Sequence, residues 1–177
     1  MAKRKYVIFG VVFAIALFLD QITKVWARAS LKPISRIVVV NGYFDFQYSE
    51  NPGSAFGLFR DLGYARYLLF AIGIIALVVI FSFLRKVPEN RGRIAAELGL
   101  LAGGAVGNII DRVMFGKVTD FILWKVGEHT WPTFNIADAA LVVGVIALMM
   151  DARGDEMSGK KKQPEPESEA QAVKKKR

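Results

Sequence analysis

The stretch "FNIADAALVVGVIALMM" (134–150) decides how this chain folds. After Asp138 it is apolar to Met150. With its flanks it approaches the ~20 residues a helix needs to cross ~30 Å of hydrocarbon. Yet it opens on Asn135 and Asp138. Read locally, the pair is close to a capping box: an N-cap amide followed three positions later by an acid, near the positive end of the helix dipole. Read as part of a membrane segment, Asp138 is an ionisable group at depth, and such groups usually face a bundle interior and mark function.

Working outward, three more runs have membrane length. They are "YVIFGVVFAIALFLDQITKVWA" (6–27), "YLLFAIGIIALVVIFSFL" (67–84) and "IAAELGLLAGGAVGNII" (94–110). The 177 residues are 53% hydrophobic, and this apolar content is gathered into runs rather than short stripes, which favours a membrane over a soluble core. The first run also has the outline of a cleaved signal peptide, with Lys3, Arg4 and Lys5 ahead of it and "ARA" (27–29) behind it. The stretch from Leu19 to Ala29 is too long and too charged for an ordinary cleavage region, so the segment is expected to be retained. The expected fold is an all-α polytopic membrane protein: four transmembrane helices, spanning about 6–27, 67–84, 94–110 and 135–150, with a small extracytoplasmic β-sheet or hairpin.

The net charge of +8 is clustered at 3–5, at 85–93 and in the tail. In a four-span chain those clusters share one side, so both termini are expected in the cytoplasm. They read as topology signals rather than as a nucleic-acid surface, and no nucleic-acid partner is expected. Residues 1–151 are read as one membrane domain. Residues 152–177, rich in Pro, Glu and Lys, are read as a disordered cytoplasmic tail, with basic patches suited to anionic membrane lipids. On the outer side, "RIVVVNGYFDFQYS" (36–49) places β-branched and aromatic residues around Asn41-Gly42, a type I′ hairpin signal. An outer β segment is expected over about 36–60. Phe44, Phe46 and Tyr48 would make either a platform on the membrane surface or a small core. With no cysteine and one histidine, His129, a thiolate site, a zinc site or a histidine-based triad is disfavoured. No metal and no cofactor are expected.

The out-of-place polar residues converge on one depth. Asp20 lies ~21 Å along the first helix from Tyr6, toward the outer boundary. Asn108, Asp111 and Arg112 end the third run, Asn135 and Asp138 begin the fourth, and Asp120 falls in the outer loop between them. Each has a plain structural reading: Asp20 and Lys24 as an i,i+4 pair, Asp111 and Arg112 as an interfacial anchor, Asn51 as a turn residue before Pro52 and Gly53. Together they suggest one site. Gly99, Gly103 and Gly107 add a small-residue stripe that lets a neighbouring helix approach. Asp120 and Asp138 are separated by Pro132, which a helix cannot carry through, so the chain must turn back between them. Two close carboxylates share a proton, and such a pair performs acid–base hydrolysis without metal or thiol. A proton-coupled transporter using the same acids as a relay is the alternative, although no inverted repeat is visible.

In order, "LDQITK" (19–24), "NPGSAFG" (51–57), "GGAVGNIIDR" (103–112), "VTDFI" (118–122) and "FNIADAA" (134–140) resemble the motifs of the bacterial lipoprotein signal peptidase (signal peptidase II) family. The resemblance implies an intramembrane aspartyl endopeptidase of the cytoplasmic (inner) membrane. Its active site would lie near the outer face, and it would cut diacylglyceryl-modified prolipoproteins just before the lipidated cysteine. It puts the catalytic pair on Asp120 and Asp138. Asp20, Asn51, Gly53, Ala55, Gly104, Asn108, Asp111, Arg112, Asn135 and Ala137 fall on supporting or substrate-positioning places. It also implies inhibition by globomycin-type cyclic peptides, and a monomer is expected.

Overall fold

The structure, a computed structural model, describes residues 3–53 and 65–162. Four helices carry it: α1 (Arg4–Trp26), α2 (Ala65–Lys86), α3 (Gly92–Phe115) and α4 (Ile136–Lys162). Four strands make a small sheet: β1 (Arg36–Val40), β2 (Phe44–Asn51), β3 (Val118–Val126) and β4 (His129–Thr130). A π-helical turn, Ala27–Leu31, extends α1. Three helices among the described residues are long and apolar enough to cross a membrane: Arg4–Leu31, Tyr67–Lys86 and Gly92–Phe115. The expected fourth run forms the first part of α4, which continues beyond the expected domain boundary at 151 to Lys162.

The helices expose large apolar side chains, among them Val11, Ile15, Phe18, Ile75, Val78, Val142 and Ile146. In water such surface would demand a partner; against lipid tails it needs none. The helix that is not exposed is α3, with 67% of its apolar window buried against 17% for α1 and 11% for α2. Its glycines explain why. A Cβ at Gly99 would stand 2.7 Å from the Phe9 carbonyl oxygen, and one at Gly103 would stand 2.8 Å from the Ala16 Cβ. On the other face, a Cβ at Gly104 would stand 2.5 Å from the Ala137 carbonyl oxygen. Gly99 and Gly103 of the stripe therefore admit α1, and Gly104 on the other face admits α4, so both neighbours press close against the α3 backbone. At the opposite end, Phe9, Leu84, Val87, Ala95 and Leu98 form an apolar cluster. There the buried Lys5 donates to the carbonyls of Val87 (2.6 Å) and Arg85 (3.2 Å), groups left unpaired where α2 ends.

The sheet is antiparallel in the order β1-β2-β3-β4. The expected hairpin at Asn41-Gly42 forms, but its turn is not type I′. Three residues, 41–43, join the strands, and Gly42 has φ +83° while Asn41 does not enter the left-handed region that type I′ requires. A register shift between Val38 and Val40 absorbs the odd residue. Of the three expected aromatics, Phe44 is half-buried and stands edge-on to Phe46 at 5.0 Å. Phe46 and Tyr48 pack against Ala27, Leu31 and Phe121, with Phe46 edge-on to Trp26 at 5.1 Å, so they belong to a small core. Val38, Val40, Tyr43 and Trp124 stay exposed.

The sequence-based expectation put Asp120 in a loop. It lies on β3 instead, paired with Ser49 of β2. A second register shift, between Phe46 and Ser49, inserts one extra β2 residue opposite Phe121, and such bulges re-aim side chains next to sites. The chain reverses at Gly127 (φ +58°) between β3 and β4, five residues before Pro132. Phe134 then hydrogen-bonds back to β3: its N–H donates to the Ile122 carbonyl at 3.1 Å, and its carbonyl accepts from the N–H groups of Phe121 and Ile122. That bridge delivers the start of α4 beside Asp120.

Candidate active site

Asn135 is the residue from which the site is built. Its side chain is wholly buried. Its Oδ1 accepts from the Asp138 N–H at 3.0 Å, while its own N–H donates to Asp138 Oδ2 at 3.3 Å. This is the reciprocal capping box that the spacing predicts. The cap is present, and it is only part of what Asn135 does. Asn135 Nδ2 also donates to Asp120 Oδ1 at 2.6 Å and to Asn108 Oδ1 at 3.3 Å. One amide thus caps α4 and ties Asp138 to Asp120.

Asn108, on α3, completes the ring: its Nδ2 donates to Asp138 Oδ1 at 2.8 Å. Asn51, the last residue of β2, approaches from the sheet and donates through Nδ2 to Asp120 Oδ2 at 3.3 Å. Its Oδ1 accepts from the Gly53 N–H at 3.0 Å. Gly53 is buried at φ +129°, a conformation that L side chains rarely adopt. Ala55 lies outside the described residues.

Below the two acids is a buried ionic layer. Asp20 and Lys24 form the expected i,i+4 pair at 2.9 Å, and both side chains are inaccessible. Asp20 does more than pair: its Oδ1 accepts from the Ala137 N–H at 2.9 Å, tying α1 to the first turn of α4. Ala137 is fully buried there, and a side chain at Gly107 would collide with the Asp20 carboxylate. Asp111 contacts neither Asp120 nor Asp138 by any hydrogen bond among the described residues. It sits 3.8 Å from Lys24 and 3.4 Å from Arg28, and its Oδ2 accepts from the Thr119 N–H at 2.9 Å, which fixes the residue before Asp120. Arg112 donates to the Asn108 carbonyl at 3.0 Å. The sequence reading did not place Arg28, which also donates to Thr119 Oγ1 at 3.0 Å. Its position in the π-helical turn carries no motif signal.

Both acids open onto one cavity of about 570 Å³. Asn51, Arg112, Asp120 and Asp138 form its polar floor, and Leu69, Trp124, Trp131, Phe134, Val142 and Val143 are among its apolar walls. Burial in this setting pushes the Asp120 carboxyl up to about 7, with the nearby Asp138 charge adding to the rise. The hydrogen bonds from Asn135 and Asn51 oppose it. An acid held half-protonated at neutral pH beside a second acid, over an apolar cleft, is an arrangement for proton transfer to a bound substrate.

The profile of the family described as "Signal peptidase (SPase) II" matches residues 12–153. The chain belongs to the signal peptidase II family. A lipoprotein signal peptidase of Geobacter metallireducens is 40% identical over 156 residues, covering 87% of this chain and 95% of that one. One from Xanthomonas campestris pv. campestris is 40% identical over 77% of this chain and 83% of its own. Two solved bacterial membrane enzymes, determined by the in meso method at 2.3 Å and 1.9 Å, share the fold. The first has a TM-score of 0.74 at 30% identity, covering 89% of this chain and 92% of its own. The second has 0.71 at 31%, covering 80% and 90%. Membership makes the chain a membrane protease and leaves the transporter reading unsupported.

Proposed function

We propose that this signal peptidase II family member removes signal peptides from diacylglyceryl-modified prolipoproteins with Asp120 and Asp138 as an aspartyl dyad, cutting just before the lipidated cysteine. The observation that carries the reading is the Asn135 amide, which bridges the two acids at the floor of an apolar cleft. The raised Asp120 supports its role as the protonated partner. Asp138 accepts from Asn108 and from the Asn135 N–H at the positive end of α4, which suits it to take a proton from water.

The reaction then runs in two balanced steps. Asp138 removes a proton from water as the water oxygen bonds to the scissile carbonyl carbon, and Asp120 gives its proton to the carbonyl oxygen. Collapse of the resulting diol breaks the C–N bond: the proton on Asp138 passes to the leaving nitrogen, and a hydroxyl proton returns to Asp120. The peptide leaves as a carboxylic acid and the lipidated cysteine as a free amine, and proton exchange with water then gives the carboxylate and the ammonium. Both carboxyls recover their starting states.

In the same reading, four helices cross the membrane, with α4 as the last span through about residue 150. Both termini are cytoplasmic and the sheet lies at the outer face. Residues 1–151 form the peptidase domain and 152–177 the tail. Asp20, Asn51, Gly53, Ala55, Gly104, Asn108, Asp111, Arg112, Asn135 and Ala137 support the dyad or the substrate. A globomycin-type peptide would occupy the cleft, the basic tail would touch anionic lipid, and the enzyme would act as a monomer. The apolar walls suit a substrate that carries acyl chains. The test is turnover of a purified diacylglyceryl-modified precursor by the wild type, Asp120→Asn and Asp138→Asn. Each variant is expected to lose cleavage at least ~10³-fold while staying folded. Wild-type turnover by either would remove it from the dyad.

A further inference from the structure

Lys24 is wholly buried, and its ammonium is 2.9 Å from Asp20, 3.8 Å from Asp111 and 3.0 Å from Asn108 Oδ1. An i,i+4 ion pair accounts for the first contact alone. The third matters because an ammonium has donors and no acceptor, whereas a side-chain amide has one end of each kind. The atom of Asn108 that faces Lys24 must therefore be its oxygen. Its NH₂ then points the other way, to Asp138 Oδ1. The same oxygen also accepts from Asn135 Nδ2, so the Asn135 amide is oriented in turn. With its NH₂ toward Asn108 and Asp120, it must present Oδ1 to the Asp138 N–H. The cation at one end and Asp138 at the other thereby set the donor–acceptor direction of both amides.

We propose that Lys24 is a positioning residue that fixes the polarity of the Asn108–Asn135 amide pair and so presents one hydrogen-bond pattern to Asp120 and Asp138. The proposal rests on the dyad reading above. Without Lys24, Asn108 loses one of the two contacts that oppose its flipped state, leaving only the Asp138 carboxylate that an amide oxygen would then face. The charged groups acting on Lys24 are Asp20 on α1, Asp111 on α3 and Asp120 on β3, and Arg28 of the π-helical turn shares Asp111 with it. Its charge also helps keep Asp120 from rising further.

The test compares Lys24→Met with the double variant Lys24→Met/Asp20→Asn, which avoids leaving a buried carboxylate unpaired and keeps an oxygen at position 20 to accept from Ala137. On a diacylglyceryl-modified precursor, the folded variants are expected to lose kcat by ~10- to 100-fold, the scale of a misplaced catalytic group, with KM within about twofold. The alkaline limb of their pH profile moves up by about half a unit as the cation is lost. A folded variant with the wild-type pH profile and an unchanged kcat would overturn the proposal. So would a double variant that fails to fold, since Lys24 would then act in folding rather than in the site. Asp120→Asn and Asp138→Asn run in parallel: if either cleaves normally, the dyad itself falls, whereas inactive dyad variants beside a normal Lys24 variant refute only the role of Lys24.

Discussion

Replacing Asn135 by Ser separates the two tasks that residue performs. Serine is also an N-cap residue and can accept from the Asp138 N–H, so the cap is retained. It is too short to replace the Nδ2 donor 2.6 Å from Asp120 Oδ1. A hydrogen bond to a charged group is worth roughly 1.5–3 kcal/mol, or about 1–2 pH units at 1.36 kcal/mol per unit. That bond favours the charged form of Asp120, so its loss raises a carboxyl already at about 7 to roughly 8–9. The dyad works with one proton, which is lost as pH rises through the Asp120 value. The alkaline limb of kcat/KM should therefore lie near pH 7 in the wild type and about 1–2 units higher in Asn135→Ser. The assay is the pH dependence of precursor cleavage in detergent or nanodiscs, with thermal unfolding as the check on folding. Activity below the limb should also fall, because Asp120 is no longer held. If the folded variant keeps its alkaline limb at the wild-type pH, Asn135 does not control the Asp120 proton and the argument fails.

Two further outcomes follow from the same geometry. Asp120 carries a carboxyl raised from 3.8 to about 7, so the folded state binds more protons than the unfolded state across that window. Stability therefore falls as pH rises from about 4 to about 7 and stays reduced above it; Asp120→Asn should raise the melting temperature at pH 8 by several degrees and leave it nearly unchanged at pH 4, and equal gains at both would refute the titration argument. Gly104→Ala puts a Cβ 2.5 Å from the Ala137 carbonyl oxygen and 3.0 Å from Leu141 Cγ, so α3 and α4 must separate at a cost of ~1–3 kcal/mol; a lower melting temperature with a lower kcat is expected, and wild-type values for both would show the contact to be slack.

Much of the fold was legible because lipid imposes a simple rule. A run of apolar residues of sufficient length must satisfy its own backbone, so it reads as a helix, and 6–27, 67–84 and 94–110 appear as α1, α2 and α3. The glycine stripe was legible for the same reason: small residues at helical spacing have few other uses in lipid. The Asn135–Asp138 cap was legible because its partners are three residues apart. The sheet was legible only where a turn signal marks it. β3 carries no such mark, because "VTDFILW" (118–124) has no Asn-Gly beside it, so its sequence alone reads Asp120 as a loop acid.

What the chain determined by itself is the set of polar groups carried to one end of the apolar runs, and the cap that begins α4. What only tertiary structure decided is which of those groups meet. Asp111 stands in the more conspicuous motif, yet its carboxylate is committed to Lys24, Arg28 and the Thr119 N–H. Asp120 looked plain, yet the Phe134–Ile122 bridge and the Asn135 amide bring it to Asp138. Sequence spacing fixes contacts within a helix turn. Contacts across 18 positions depend on strand register and on how closely α1 and α4 can approach a glycine-lined α3, and those are properties of packing.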